Sequence, residues 1–358
     1  MPDINPPPSD LYSLTDLISG FDPANETSVL QTLSFRQYQA YYPIKLAGAN
    51  DLERIRAASD HDARISESLF RYLKVKGKRP VGIMGGHSVS RDEPAYIEVA
   101  KLARVLTLDG FLIVTGGGPG IMEAAHVGAL FANASDAEFS NALELLGASS
   151  QKRIPFPSSG MSLLNEDGTL TATGDPIYTK HLFDWFLDAY RVRDMVENSP
   201  GESLAVSTWE YGEEPVMPFA TAYAAYFQNS IREASLVREA RAGIVYGKGG
   251  GGTVREIFQD VEENYYVQRT EDFTPMIFFD PSGYWNPSAP NANSIKLDTV
   301  IPIVFSRAFA GLPAGRIDWS GRVLFSTDIA AIRRILKIQE VVSEPKFLEL
   351  FSREATIS

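Results

Sequence analysis

Residues 112–125, LIVTGGGPGIMEAA, combine a strand pattern, a glycine-rich turn and a helix pattern in one short segment. Leu112–Thr115 is a run of apolar and β-branched residues, which is typical of a buried strand. The turn Gly116–Gly120 follows at once, and a helix of small and apolar residues begins near Ile121. A glycine-rich turn placed between a strand and a helix predicts a unit of an α/β fold.

The same order of elements occurs twice more along the chain. Val81–Met84 leads into the turn GGHS at 85–88, and Gly243–Tyr246 leads into KGGGGT at 248–253. Short apolar strands that alternate with amphipathic helices predict a Rossmann-like α/β fold, in which a mostly parallel sheet has helices on both faces. Ligands of such sheets bind at the carboxyl ends of the strands, which is where all three turns fall. The helix after GGHS has an apolar face formed by Tyr96, Val99, Ala103 and Leu106.

The rest of the chain divides into extensions and an insertion around this core. We expect an N-terminal arm and helical extension over 1–75, the Rossmann-like core over 76–285 and a C-terminal extension over 286–358. Residues 132–201 form an insertion in the core that can cap the site. The other predicted elements are strands at Leu204–Ser207 and Met276–Phe279 (the last core strand), helices at about Tyr178–Glu197 and Phe219–Ala240, a strand at Val300–Phe305, and a helix near Asp328–Val342.

Composition excludes several classes of function. The chain has no cysteine, which removes disulfides, thiolate nucleophiles and iron–sulfur clusters, and its four histidines are scattered, so no metal site is expected. The net charge of −12 argues against a nucleic-acid groove, which needs clustered Lys and Arg. The N-terminus lacks a signal-peptide pattern, and no apolar run approaches the roughly 20 residues that cross a bilayer. We therefore expect a cytoplasmic protein with no nucleic-acid or membrane partner.

The three turns are candidate anion sites because glycine lets a ligand approach the backbone, and amides at a helix N-terminus favour negative charge. The alternative is that they are tight strand–helix connections without a ligand. Neither GGGPG nor KGGGGT fits G-x-G-x-x-G, and no acidic residue stands at the end of the second strand, so a dinucleotide is disfavoured. The candidate binding residues are Gly85, Gly86, His87, Ser88, Gly116, Gly117, Gly118, Gly120, Glu123, Lys248, Gly249, Gly250, Gly251, Gly252 and Thr253.

Several candidates also have a structural explanation. Glu123 lies in the first turn of its helix, where a carboxylate complements the helix dipole whatever the function. His87 and Ser88 can serve simply to form their turn. Thr253 suits an N-cap, and Glu256 three residues later completes a T-x-x-E capping box. From spacing alone, capping explains Glu256 at least as well as chemistry does.

Five segments carry a resemblance to a known family. GGGPGIMEAA at 116–125 and GGGGTVRE at 249–256 resemble the motifs GGGxxGxM and PGGxGTxxE of the Lonely guy (LOG) family. GGHSVSRDEPAY at 85–96 is similar to bacterial pyrimidine/purine nucleotide 5′-monophosphate nucleosidases of the same superfamily. NSIREASLVREA at 229–240 resembles the family helix with an essential arginine, here Arg232, and TPMIFFDPSGYW at 274–285 the segment after the second motif.

The resemblance implies that the core binds and hydrolyses nucleoside 5′-monophosphates to free base and ribose 5-phosphate. It implies that Glu256 stabilises the oxocarbenium-like ribose or positions water, and that Arg232 orients Glu256 and helps to hold the phosphate or ribose. It requires no metal or organic cofactor, and it implies a homodimer or higher homo-oligomer. The chain departs from the family at Lys248, where the second motif has proline, and at His126, where asparagine is frequent. A catalytically silent nucleotide-binding or sensor protein is the alternative.

Overall fold

The protein is described here by a computed structural model. It describes residues 4–47, 51–77, 79–155, 163–171, 176–196, 199–212, 216–279, 281, 283–285, 295–313 and 317–338. Within these ranges, seven parallel strands form one sheet in the order β4-β3-β2-β1-β5-β6-β7. The strands are β1 Arg79–Met84, β2 Phe111–Thr115, β3 Ser203–Thr208, β4 Ala222–Tyr226, β5 Gly243–Tyr246, β6 Met276–Phe278 and β7 Val323–Phe325.

Helices connect the strands and precede the first of them. The α-helices are α1 Leu14–Leu17, α2 Leu33–Ala47, α3 Leu52–Lys76, α4 Pro94–Leu108, α5 Ile121–Leu130, α6 Asp136–Gly147, α7 Pro176–Arg193, α8 Asn229–Glu239, α9 Gly251–Tyr265, α10 Leu297–Ala308 and α11 Ile329–Ile338. None of the helices in the described ranges is long and apolar enough to cross a membrane.

The central strands form because their residues are apolar along the whole run. Every residue of β2 is buried, which requires that both faces of the sheet are covered. The predicted apolar face of α4 is also buried, since Tyr96, Val99, Ala103 and Leu106 are at most 1% exposed. The predicted Rossmann-like α/β fold class is confirmed.

Two predicted elements are wrong in type. The long helix expected from Phe219 to Ala240 is the strand β4 followed by the shorter helix α8, because the sequence AYAAY is fully buried and pairs with β3. Burial at the edge of the sheet outweighs the helix propensity of alanine there. The strand expected at Val300–Phe305 is part of α10, whose buried side chains, Leu297, Ile301 and Phe305, recur every four residues.

The sheet also continues beyond the strand that was expected to be last. β7 pairs in parallel with β6, so residues of the C-terminal extension complete the core sheet. α11 follows and buries Ile332 and Leu336, while Arg333 is held by Asp109 at 2.6 and 2.7 Å. The predicted end of this helix, after Ile338, lies outside the described residues, as does Glu197 at the predicted end of α7.

The strand order reverses direction between β1 and β5. From β1 the chain builds outward through β2, β3 and β4, and then it returns to add β5, β6 and β7 on the other side. The connections of the two halves therefore diverge at the carboxyl ends of β1 and β5, which leaves a crevice there. The turns 85–88 and 247–250 leave the sheet at this point.

Candidate active site

The three glycine-rich turns meet at the carboxyl edge of the sheet. The Gly86 amide donates to the Lys248 carbonyl at 2.8 Å, and the Gly247 amide donates to the Met84 carbonyl at 2.8 Å. The Ile121 amide donates to the Gly86 carbonyl at 3.2 Å, which joins the turn after β2 to the other two. One hydrogen-bonded layer therefore carries all three motifs.

Glycine is required in the turn after β2 for two separate reasons. Gly117 and Gly120 have φ of +73° and +68°, a region that L side chains rarely adopt. A Cβ on Gly120 would also overlap the carbonyl oxygen of Gly86, so the contact between the first two turns depends on its absence.

The buried His126 imidazole contacts the Thr115 hydroxyl at 2.8 Å, and this hydroxyl accepts from the Gly117 amide at 2.9 Å. Burial lowers the pKa of His126 to about 3, so the ring is neutral.

The turn after β5 behaves differently. A Cβ built on Gly250, Gly251 or Gly252 would meet nothing within 4 Å, and none of the three has positive φ. Neither packing nor backbone conformation within the described structure requires glycine at these positions. The open backbone at these positions leaves room for an external group to approach it closely.

The predicted capping box at the start of α9 is wrong. The N-cap is Gly250 and makes no side-chain cap hydrogen bond, so Thr253 lies three residues inside the helix. The run of glycines lets the helix begin earlier than the spacing suggested, which leaves Glu256 in the second turn. Its carboxylate is too far along to reach the N-cap amide and points to other partners.

Glu256 forms an ion pair with Arg232 of α8. Arg232 Nη1 lies 3.5 Å from Glu256 Oε1, and the two side chains are 9% and 10% exposed. Arg232 Nη2 donates to Asn229 Oδ1 at 2.6 Å, whereas Arg232 Nε is buried and has no hydrogen-bond partner among the described residues. A Cβ on Gly116 would lie 3.0 Å from Arg232 Nη1, so the guanidinium passes directly over the turn after β2.

A second buried carboxylate, Glu233, stands beside this pair and was not predicted. Its Oε1 accepts from Asn229 Nδ2 at 2.9 Å, and its Oε2 lies 3.0 Å from Arg255 Nε. Glu233 is adjacent in sequence to Arg232, but its burial depends on the packing of α8 against α9. The spacing from Asn229 to Glu233, i to i+4, is the one local signal that could have suggested it.

The electrostatics of this cluster leave Glu256 able to titrate near neutral pH. Burial raises the pKa of Glu256 from 4.5 to about 7, and the charge of Glu233 contributes in the same direction. The opposing charges of Arg232 and Arg255 lower the pKa but do not offset burial. The carboxyl can therefore exchange a proton under physiological conditions, as catalytic carboxyl groups do.

A cavity of about 720 Å³ opens beside these groups. It is large enough for a small organic ligand of nucleotide size. Burial lowers the pKa of His87 on its wall, so the ring is neutral at pH 7. The predicted site residues that line the cavity are Gly85, Gly86, His87, Ser88, Gly116, Gly117, Gly118, Arg232, Gly250, Gly251, Gly252, Thr253 and Glu256.

Four predicted site residues lie outside the cavity wall. Glu123 is 1% exposed and pairs with Arg91, so its role is structural in this conformation. The Lys248 ammonium lies 3.4 Å from Glu93, and the Gly249 carbonyl accepts from the Tyr284 hydroxyl at 2.7 Å. Gly120 supports the contact between turns described above. Within the described ranges, no three His, Asp or Glu side chains are grouped to hold a metal ion.

The cavity has a further wall that sequence reasoning missed. Tyr38, Tyr42 and Lys45 of α2 line it, together with Trp209 and Tyr211 from the loop after β3. The N-terminal extension was expected to be helical, and α1 to α3 confirm this, but nothing in its sequence indicated a contribution to the site.

Fold and site together define the class of protein. It is a Rossmann-like α/β protein whose glycine turns and a buried arginine–glutamate pair share one cavity at the reversal of strand order. No family model and no curated protein matches the chain. Among solved structures, it is similar to a molybdenum cofactor binding protein from the phototrophic bacterium Rippkaea orientalis at 12% identity and a TM-score of 0.37, over 73% of this chain and 96% of that chain. A likeness this weak carries no conclusion about function.

Proposed function

We propose that the protein is a nucleoside 5′-monophosphate phosphoribohydrolase of the LOG superfamily. The observation that carries the proposal is that Arg232 and Glu256 line the same cavity as the three glycine turns. The sequence resemblance assigned these parts to one site, and the folded chain brings them together from four separate segments. A phosphate cradle beside a carboxylate that titrates near pH 7 suits cleavage of a nucleotide at its ribose.

The start of α9 is the proposed phosphate site. Its N-cap has no capping side chain, so the amides of Gly251, Gly252 and Thr253 are available to an anion at the positive end of the helix dipole. The open space around Gly250 to Gly252 lets phosphate oxygens approach this backbone. Arg232 Nε, buried and unpartnered among the described residues, is a further donor for the phosphate or ribose.

The proposed reaction breaks the bond between C1′ of the ribose and the base nitrogen. The bonding electron pair leaves with the base, which takes up a proton, and the oxygen of one water forms the new bond to C1′. Positive charge develops on the ribose before water adds, and the ionised Glu256 carboxylate stabilises it or accepts the proton that water loses. Arg232 holds this carboxylate in place and favours its ionised form.

One observation favours a second candidate, a catalytically silent nucleotide-binding or sensor protein. Lys248 stands where the family motif has proline, and its side chain turns to Glu93 instead of the cavity. If this changes the phosphate turn, a nucleotide could bind without correct alignment of C1′ against Glu256. The glycine cradle would then serve recognition alone.

A product assay tests the proposal. Purified protein is incubated with AMP, GMP, CMP, UMP and an N6-prenylated AMP, and free base and ribose 5-phosphate are quantified by chromatography. Glu256→Gln is the test variant, and Glu262→Gln, an exposed glutamate on the same helix, is the matched control. Base release that is lost only in Glu256→Gln supports the hydrolase. Nucleotide binding without base release from any substrate would favour the sensor.

The resemblance also predicts a homodimer or higher homo-oligomer. Size-exclusion chromatography with light scattering measures this directly. A species of 39.4 kDa, the mass of one chain, at all concentrations would contradict the prediction.

A further inference from the structure

The cavity extends beyond the glycine turns to a group of aromatic side chains. We call this group the aromatic wall: Tyr38 and Tyr42 of α2, and Trp209 and Tyr211 of the loop after β3. Lys45, one turn after Tyr41 and Tyr42 on α2, stands at the same wall. None of these residues belongs to the five motif segments that carry the resemblance to the LOG family.

The aromatic wall is fixed by close contacts between α2 and the loop. A Cβ on Gly212 would overlap the Tyr38 side chain, so the loop can approach the helix only with glycine at this position. Lys45 Nζ donates to the Glu210 carbonyl at 2.7 Å, and Trp209 Nε1 donates to Ser34 Oγ at 3.2 Å. These contacts come from different parts of α2, so the helix is held along its length.

The aromatic wall is also connected to the proposed catalytic pair. Asn229, which accepts from Arg232, directs its Nδ2 to the Tyr211 hydroxyl at 3.3 Å. The backbone amide of Asn229 donates to Glu210 Oε2 at 3.1 Å. The loop that carries Tyr211 therefore sets the start of α8, and a ligand held by Arg232 would reach the aromatic wall.

Part of the aromatic wall remains accessible. Tyr211 is 51% exposed, and Tyr42 is half-buried. Lys45 Nζ lies 5.8 Å from the centroid of the Tyr211 ring. Aromatic faces with a nearby ammonium suit a planar heteroaromatic ring, because the ring stacks and its edge atoms accept hydrogen bonds.

On these grounds we infer that Tyr42 and Tyr211 form the subsite for the base of the nucleotide. The inference rests on the proposed function and extends it: the N-terminal helical segment, outside the Rossmann-like core, supplies one of the two rings that recognise the base. Phosphate and ribose are held by the core, whereas the aromatic base stacks on residues of α2 and of the loop after β3.

Binding of AMP and of ribose 5-phosphate, which lacks the base, tests this by isothermal titration calorimetry with Glu256→Gln as the parent protein, so that AMP is not cleaved during the titration. Tyr42→Leu and Tyr211→Leu are each expected to weaken AMP binding about tenfold, since loss of one stacking partner has effects of this size. The Tyr42→Leu variant should keep its affinity for ribose 5-phosphate within about twofold of the parent protein. Tyr211→Leu also loses the hydroxyl that faces Asn229, so its affinity for ribose 5-phosphate is compared with that of Tyr211→Phe, which keeps the ring and loses the same hydroxyl. Tyr42→Phe, which keeps the ring, should restore AMP binding.

Tyr41→Leu is the matched control. Tyr41 is the neighbour of Tyr42 on α2, packs against the Phe227 ring at 5.2 Å and is not among the described residues that line the cavity. This variant should change neither affinity. Because Tyr211 is exposed, Tyr211→Leu tests the inference even if replacement of Tyr42 unfolds the helix.

The outcomes separate the two proposals. If base is released but the Tyr42 and Tyr211 variants leave the ratio of AMP to ribose 5-phosphate affinity unchanged, the base subsite is wrong and the hydrolase stands. Equal loss of both affinities would also overturn the subsite, since it would indicate a general disturbance. If AMP binding depends on the two rings but no base is released, the subsite stands and the hydrolase falls.

Discussion

Two buried arginine–glutamate pairs lie close to the glycine turns. They differ in how many of their hydrogen bonds are made within the protein. Arg91 and Glu123 are each 1% exposed, and three hydrogen bonds of 2.7, 3.1 and 3.3 Å join the guanidinium to the carboxylate. Arg232 and Glu256 approach only to 3.5 Å, and Arg232 Nε has no partner among the described residues. The first pair is closed, whereas the second leaves donor capacity at the edge of a cavity.

The surroundings explain the difference. Arg91 also donates to the Trp185 carbonyl at 3.1 Å and stacks on the Trp185 ring at 4.5 Å, so it fastens α7 of the insertion to the first turn of α5. The Glu123 carboxylate is 1% exposed and does not line the cavity. Around Glu256 the open turn of α9 leaves space instead. A buried ion pair with all its hydrogen bonds made holds structure, and one with bonds left to make can hold a ligand.

The largest expected effect is on the rate of base release, and it distinguishes the second pair from the first. Glu256→Gln should lower kcat for base release by about a thousandfold, because the neutral amide cannot stabilise the positive charge that develops on the ribose. Its thermal unfolding temperature at pH 8 should not fall, since burial already disfavours the ionised carboxylate. Rapid chromatographic assay and thermal denaturation measure both. Retention of kcat in this variant would remove Glu256 from the mechanism.

The opposite result is expected for the closed pair. Burial raises the pKa of Glu123 as well, but Glu123→Gln disrupts three hydrogen bonds to the buried Arg91, which should lower the free energy of unfolding by about 3 kcal/mol. Below the new unfolding temperature, kcat should stay within about twofold, because Glu123 does not line the cavity. Urea denaturation and steady-state kinetics check the two halves. A stable Glu123→Gln protein with a collapsed kcat would assign Glu123 to the reaction instead.

The pH dependence of activity is the third test of the contrast. Because burial raises the pKa of Glu256 to about 7, kcat should fall about tenfold for each pH unit below this value and level off above it. The stability contribution changes in the opposite direction to kcat: it is fully present below about pH 4.5, where the carboxyl is protonated in both states, and it is lost as pH rises through about 7. Kinetics from pH 5 to 9, with denaturation of wild type and Glu256→Gln at each pH, measure both.

This profile needs one control, because nucleotide phosphate itself titrates near pH 6. At saturating nucleotide, kcat reports only the ionisations of the enzyme–nucleotide complex. Titration of the free nucleotide therefore does not enter the profile. A flat kcat between pH 5 and 9 would contradict the role of Glu256. The absence of a pH-dependent stability difference between wild type and Glu256→Gln would contradict its raised pKa.

The two pairs also show how far the sequence could predict this protein. The strands and turns that precede Glu123 and Glu256 were predicted because apolar runs and glycine clusters are local patterns. Both glutamates had a structural and a functional explanation, and spacing could not choose between them. The choice depends on Arg91, which lies 32 residues from Glu123, and on the open turn before Glu256. Neither feature is visible in a local pattern.

Other errors have the same physical origin. Ala222–Tyr226 falls within the helix predicted over Phe219–Ala240, but pairing with β3 makes it a strand. The aromatic wall was missed because Tyr42 is brought to the site by the docking of a helix that precedes the whole core. Contacts between distant segments settle these features, and one sequence without its fold does not reveal them.

The smallest expected effect compares the glycine turns themselves. Gly251→Ala should raise the free energy of unfolding by about 0.5 kcal/mol, since alanine loses less conformational entropy in a helix and its Cβ would meet nothing within 4 Å. It should nevertheless raise the KM for AMP several-fold, because the methyl group occupies the space through which phosphate approaches the backbone.

Gly147→Ala, on a helix outside the cavity and with only ordinary contacts at its Cβ, should gain stability without a change in KM. Gly120→Ala lies in the turn after β2, which is closed because it packs against the first turn. This variant should lose stability because the φ of Gly120 is +68° and a Cβ there would overlap Gly86. An unchanged KM in Gly251→Ala would show that phosphate does not bind at the start of α9, and the contrast between an open and a closed turn would then lose its functional meaning.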